Sequence, residues 1–303
     1  RHNRPRLFVF RQRAHPQTVP RLCVILIQRG ALTKALRRHH HQMRVIVTND
    51  IHPGAEIALH QIDHVITDSR EFHTTYLVIF DKLAQSEEYL SMFKEAFPQM
   101  AHDPINKNTI STALTAYLKS LSTFNSSFDQ YVREESGTLD DEAIKGFNLF
   151  MGKAACGTCH FAPTFAGLVP PGYHESESEV LGVPATTDTL NPEMDTDLGR
   201  FGGRMREQAE FYKHSFKTTT VRNASLTAPY MHNGVYKTLE EVIDFYNKGG
   251  GQGLGMEVPY QTLPPAPLEL SQNEKQALIS FMKSLTDTTG VTGRPEKLPH
   301  FPA

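Results

Sequence analysis

Five consecutive residues carry the strongest chemical signal in this 303-residue chain: Cys156, Gly157, Thr158, Cys159 and His160. Two thiols at this spacing, followed at once by an imidazole, form the attachment signature of c-type haem. The thiols add across the two vinyl groups, and the adjacent histidine is placed to bind the iron from the proximal side. Two other readings of a C-x-x-C pair fit less well. A zinc ribbon needs a second such pair, and the one remaining cysteine is Cys23. A thioredoxin-like pair follows a strand and opens a helix, whereas this pair follows a helical pattern and enters a loop-rich stretch.

The elements around the motif have a consistent order. Gly137-Thr138 starts a helix, with Asp141 three residues after Thr138 as in a capping box and Ile144, Phe147 and Met151 on its apolar face. Gly146 lies near that face and would let a crossing helix approach. Residues 161–203 are rich in loops, with several Pro and Gly. Thr238 opens a short helix that stops at Gly249-Gly250-Gly251. Ser271 with Glu274 makes another capping box, and Ala277, Leu278, Phe281, Met282 and Leu285 give the last helix its buried face. This order suits a cytochrome c domain, in which the last helix packs on the first.

Upstream, Leu59, Ile62, Val65 and Ile66 fall at helical spacing. Residues 76–97 read as helical turns with a pause at 84–86, and Ser86 is a helix start. Thr109 is the expected cap of a helix with Ile110, Leu114, Tyr117, Leu118 and Leu121 on its buried stripe. No strand pattern of comparable strength follows residue 50. The expected fold class is mostly α, with cytochrome c-like haem domains and long loops. Loops of that length usually carry function or wrap a ligand.

The first 50 residues differ in composition. They hold ten Arg and one Lys against the single acid Asp50, a net of +10; the rest of the chain holds 20 of the 31 bases and 32 of the 33 acids, a net of −12. Residues 24–27 and 45–47 could be short strands, and His39-His40-His41 reads as a solvated tract. A basic arm can bind nucleic acid, but these arginines lack helical or aromatic organisation, so no nucleic-acid partner is expected. The segment reads as atypical sequence joined from elsewhere. The longest apolar run, Leu22 to Ile27, is far shorter than the roughly 20 residues that span a bilayer, so no membrane span is expected. No signal peptide or lipoprotein anchor is readable.

Several stretches together carry a family resemblance: residues 146–150, the haem motif, Asp197-Leu198-Gly199-Arg200, Phe216-Lys217-Thr218, Arg222-Asn223 and Thr227-Ala228-Pro229-Tyr230-Met231-His232-Asn233-Gly234. The chain resembles the bacterial di-haem cytochrome c peroxidases, a family that includes the MauG-type proteins. Residues 56–150 also resemble the family's first domain, for example at Ser126-Ser127-Phe128-Asp129. The resemblance implies an enzyme that reduces hydrogen peroxide with electrons from a small cytochrome c or cupredoxin. It implies a periplasmic location, a calcium ion between the domains and, often, a homodimer.

Carried over to this sequence, the resemblance assigns Cys156, Cys159 and His160 to the electron-transfer haem. It assigns the backbone carbonyls of Thr227 and Pro229 to calcium, a hard cation that takes oxygen donors. Gln61 and Glu71 match the distal pair of the peroxidatic haem, where a carboxylate can serve as general acid–base. The second axial iron ligand falls at Tyr246, where the classical peroxidases have Met and the MauG-type proteins have Tyr. A phenolate favours ferric and higher iron states; Met256 and Met231 are the alternative thioether ligands. The implied domains are 1–50, outside the family pattern; 51–136, the remainder of the N-terminal peroxidatic domain; and 137–303, the C-terminal domain.

The family has a second C-x-x-C-H motif upstream of Gln61, and this sequence has none there. As written, the chain can carry one covalent haem where the family carries two. Two further functions stay open: MauG-like oxidation of a protein substrate, and electron carriage by a single haem without catalysis.

Overall fold

A computed structural model describes residues 62–69, 71–121, 123–135, 139–173, 175–201, 209–289 and 299. The expected strands at 24–27 and 45–47, the His39–His41 run and Gln61 lie outside the described residues. The chain divides into two compact units. One lies within residues 1–122 and 289–303, and the other spans Thr123–Thr288.

The first unit contains α1 (residues 62–67), α2 (Tyr76–Ala84), α3 (Glu87–Ala96) and α4 (Lys107–Ser120). The pause at 84–86 separates α2 from α3, and the Ser86 side chain accepts from the Tyr89 amide as the α3 cap. The cap of α4 differs from expectation. Asn106 Oδ1 accepts from the amides of Asn108 and Thr109, while Thr109 Oγ1 accepts from the Asn106 amide. Thr109 therefore sits inside the helix as the reciprocal partner of the cap.

Ile62, Ile66, Leu83, Tyr89, Phe93, Phe97, Ile110 and Leu114 form the core of this unit. Leu118 and Leu121 are exposed, because the last turn of α4 carries the apolar stripe past that core. A polar group joins three helices: Tyr76 bonds Asp63 and Ser111, and Lys107 pairs with Asp63 at 2.6 Å.

The second unit contains α5 (Ser127–Val132), α6 (Asp141–Met151), α7 (Leu239–Asn247), the single turn α8 (Gly250–Gly253) and α9 (Gln272–Ser284). The capping boxes at Thr238/Glu241 and Ser271/Glu274 are formed, each satisfying two orphan donors of its helix. Helix α6 starts later than expected, at Asp141, with the Asp140 side chain accepting from the Glu142 amide. Its buried line is Ala143, Gly146 and Phe150; Ile144 and Phe147 are half-buried and Met151 is exposed. That line faces α9, whose Ala277, Leu278, Ile279, Phe281 and Met282 are buried.

Phe281 is the hub of the core. Its ring centroid lies 5.1–5.5 Å from those of Phe128, Phe147, Phe150 and Phe165, all in tilted or edge-on contact. Phe128 belongs to α5, so this unit begins at Thr123, upstream of the boundary expected at residue 137. The loops carry one small sheet, β1 (Ser178–Val180) antiparallel to β2 (Ser215–Lys217), too short to leave a strand pattern in the sequence.

Candidate functional site

The end of α6 delivers the cysteines. After Met151 the chain passes through Ala155, whose left-handed backbone (φ 54°) turns it into a single 3₁₀ turn, Cys156–Thr158. The amides of Cys159 and His160 donate to the Cys156 carbonyl at 3.3 and 2.9 Å. This compact turn puts both thiols and the imidazole on one short stretch. Both cysteines are free thiols and half-buried. Burial pushes the Cys156 thiol up to about 12 and raises Cys159 as well. A redox-active C-x-x-C pair has the opposite character, a lowered thiol pKa.

His160 Nδ1 hydrogen-bonds the Phe165 carbonyl at 3.2 Å. That contact orients the ring, and the Thr219 backbone lies close enough to interact with the imidazole as well. Burial lowers the His160 pKa, which favours the neutral imidazole a metal requires. The Phe150 ring lies 6.2 Å from the His160 ring, so the imidazole stands against the aromatic core.

The three candidates for the second axial position have different surroundings. Tyr246, in the last turn of α7, packs against the cluster of Val183, Tyr236 and Phe245, its ring 5.6 Å from that of Phe245. Burial holds its phenol well above the usual range, and Cys156, Cys159 and Glu179 push it the same way. Tyr246 is thus within electrostatic reach of both attachment cysteines. Met231 shares the same apolar cluster and is half-buried. Met256 is buried in a separate cluster with Val180 and Val258. Two thiols, a neutral imidazole and a phenol fit a covalently held haem, which supplies one-electron transfer when bound.

Met231 is presented by the strained loop 227–234. His232 stacks flat on Phe216, with centroids 3.6 Å apart and an interplanar angle of 7°. Its Nε2 lies 3.2 Å from Asp195 Oδ1, and Asn233 Nδ2 donates to Asp195 Oδ2 and to the Pro184 carbonyl. The Asp197 amide, with Asn233 and His232, holds the Asp195 carboxyl below its ordinary range. Thr227 and Pro229 are exposed, and among the described residues neither carbonyl accepts a hydrogen bond.

Glu71 is exposed in the turn after α1, where a ligand atom from each of His64, Asp68 and Glu71 lies within 4.8 Å of the others. It belongs to the first unit and the haem motif to the second. The sequence reading attached no role to Asp129, Phe165 or Asp195. Asp129 meets Arg222, Phe165 meets Val221 and Asp195 meets Asn233 across dozens of residues, and no local pattern announces such pairs.

Residues 30–137 match the family described as di-haem cytochrome c peroxidase. The chain is 30% identical over 258 residues to the cytochrome-c peroxidase IdrP2 of Pseudomonas sp. (strain SCT), covering 78% of this chain and 64% of that protein. Over these residues the chain is similar to the di-haem cytochrome c peroxidases. To the methylamine utilization protein MauG of Methylorubrum extorquens it is 27% identical over 220 residues, covering 73% of this chain and 55% of that protein.

A crystal structure of a MauG-like protein associated with microbial copper homeostasis superposes with a TM-score of 0.60 at 25% identity, covering 78% of this chain and 70% of that one. The di-haem peroxidase BthA of Burkholderia thailandensis shares the fold, with a TM-score of 0.51 at 20% identity and coverage of 81% and 67%. The chain therefore spans only part of its di-haem peroxidase relatives, 64% and 59% of the two IdrP2 proteins. The family match begins at residue 30, so it reaches back into the basic segment that the sequence reading set outside the family.

Proposed function

We propose that this chain is part of a haem oxidoreductase that reduces hydrogen peroxide with electrons from a small cytochrome c or cupredoxin, and that its second unit is the half that receives those electrons. The observation that carries this reading is the Cys156–His160 segment itself: two half-buried thiols on one turn, an imidazole oriented by the Phe165 carbonyl, and the Tyr246 phenol within electrostatic reach of both thiols. Cys156 and Cys159 would hold the haem covalently, and His160 and Tyr246 would offer an imidazole nitrogen and a phenol oxygen to its iron. The aromatic core around Phe150 and Phe165 keeps water from the His160 side.

Glu71, with Gln61, is the distal pair of the peroxide site. Its carboxylate would move a proton from one oxygen of hydrogen peroxide to the other, while two electrons from the donor protein and two protons from solvent would complete reduction to water. The exposed position of Glu71 in the turn after α1 is compatible with proton exchange with solvent. Thr227 and Pro229 offer carbonyl oxygens for a calcium ion. A periplasmic location and a homodimer belong to the same reading. Among the described residues no helix is long and apolar enough to cross a membrane.

The test begins with covalent haem per chain, by intact mass and pyridine haemochrome after periplasmic maturation. Peroxide consumption with reduced cytochrome c as donor follows. One haem per chain is expected, and because the sequence holds no second attachment motif, peroxide loss coupled to donor oxidation is expected to be weak. One haem without peroxide turnover would reduce the chain to an electron carrier, and no haem alongside a matured control cytochrome would defeat the reading.

Tyr246 favours a second reading, oxidation of a protein substrate as in MauG-type proteins, because a phenolate supports higher iron states better than a thioether does. Peroxide-driven modification of a partner protein, with little oxidation of cytochrome c, would select it.

A further inference from the structure

Arg222 is buried, and each of its five N–H donors is used. Nη1 donates to the Thr123 carbonyl at 3.0 Å and to Asp129 Oδ2 at 2.9 Å. Nη2 donates to Asp129 Oδ1 and to the Pro163 carbonyl, both at 2.8 Å, and Nε donates to the Pro163 carbonyl at 3.0 Å. The guanidinium also lies 4.4 Å from the Phe124 ring centroid and 5.5 Å from that of Phe165. Asp129 is held in turn by the Ser126 amide and hydroxyl at 3.0 and 2.7 Å.

Two of these five bonds go to Pro163, which lies in the turn between His160 and Phe165. The other end of that turn is the Phe165 carbonyl, partner of His160 Nδ1. The same carbonyl accepts from the amide of Val221, the neighbour of Arg222, at 2.9 Å. Residues 221 and 222 thus grip both ends of the segment that orients the imidazole. A buried ion pair alone is weak evidence for stability, since an apolar pair often serves as well. A planar fork spent on a ligand-orienting turn has a narrower use.

We infer that Arg222, clamped by Asp129, is the positioning residue for His160: it holds the 163–165 turn so that the Phe165 carbonyl stays on Nδ1 and fixes the ring orientation and donor strength of Nε2. This rests on the haem reading of the Cys156–His160 segment. Donation from Nδ1–H to a carbonyl makes the imidazole a stronger ligand. A stronger ligand favours the ferric state, so loosening the turn raises the reduction potential. A lysine at 222 keeps the charge, but one ammonium cannot meet Asp129, Pro163 and Thr123 in the geometry the fork provides.

The full chain, matured with haem, is compared as wild type, Arg222→Lys, Asp129→Asn and Ile279→Ala, the last a core truncation on α9 that removes none of these hydrogen bonds. Haem per chain is counted first; wild type without haem would defeat the haem reading itself. With haem present, potentiometric titration and ferric EPR are expected to show a higher potential and a broadened or split signal in Arg222→Lys, with both properties near wild type in Ile279→Ala. Asp129→Asn decides the matter if Arg222→Lys does not fold. A potential and EPR signal matching those of Ile279→Ala would overturn the inference. So would failure of both polar variants to fold while Ile279→Ala folds, leaving the pair a structural clasp.

Discussion

Gly146 on α6 and Ala277 on α9 meet backbone to backbone. A β-carbon on residue 146 would lie 1.9 Å from the Ala277 carbonyl oxygen and 2.8 Å from Phe281 Cβ. Alanine gains about 1 kcal/mol over glycine in a helix, but neither neighbour can rotate away from this clash. Overpacking therefore wins, and Gly146→Ala is expected to lose about 3 kcal/mol of stability. Urea denaturation checks this, and a variant as stable as wild type would mean that the helices do not cross so closely.

The proposed haem attachment uses the thiols of Cys156 and Cys159 and not that of Cys23. Cys156→Ser with Cys159→Ser should remove all covalent haem from the matured chain, and Cys23→Ser should leave it intact. Intact mass reads both results, and haem retained by the double variant would place attachment elsewhere.

Tyr246→Phe removes one oxygen and keeps the ring that packs on Phe245 at a centroid distance of 5.6 Å. Loss of an anionic donor should change the ferric absorption and EPR spectra and raise the reduction potential. Tyr246→Met should raise it as well, with His/Met-type spectra. Spectra unchanged in Tyr246→Phe would move the second ligand to Met231 or Met256.

Asp129 controls part of the acid response. Burial pushes its carboxyl up, but hydrogen bonds from Arg222 and Ser126 outweigh this and hold it below the ordinary range. A depressed folded pKa stabilises the fold above the unfolded value of about 3.9, and that contribution is lost as pH falls through the folded value. Wild type should therefore lose stability steeply below about pH 4. Asp129→Asn should start less stable at pH 7, by about 3 kcal/mol for a broken buried pair, and show a shallower acid limb. Thermal midpoints from pH 7 to 2 check both, and parallel curves would count against the assignment.

Local chemistry was legible in the sequence wherever the partners are near neighbours. The Cys156–His160 segment, the caps Ser86, Thr238 and Ser271, and the buried face of α9 all follow from spacings of a few residues. The family was legible in the same way, from short motifs. Harder to read were elements whose boundaries depend on competing local bonds. At α4 both Asn106 and Thr109 can cap, and the cap fell to Asn106.

Side-chain exposure at α6 shows where local reading ends. Apolar character points to Ile144, Phe147 and Met151, yet the most buried line is Ala143, Gly146 and Phe150. Hydrophobicity ranks side chains by what they gain from burial; it does not say which face has room for another helix. The small residues at 143 and 146 let α9 in, and that contact rotated the face.

The sequence by itself determined the C-x-x-C-H spacing, the resemblance to a family, the mostly helical class and the glycine that lets α6 and α9 cross. Tertiary structure alone decided what surrounds His160: the Phe165 carbonyl on its Nδ1, the Arg222 fork on Pro163, the Asp129 clamp and the thiols near Tyr246. The reason is distance along the chain. Asp129, Pro163 and Arg222 interact only after the chain has closed loops of dozens of residues, and one sequence holds no local signal of which distant polar groups will be buried together.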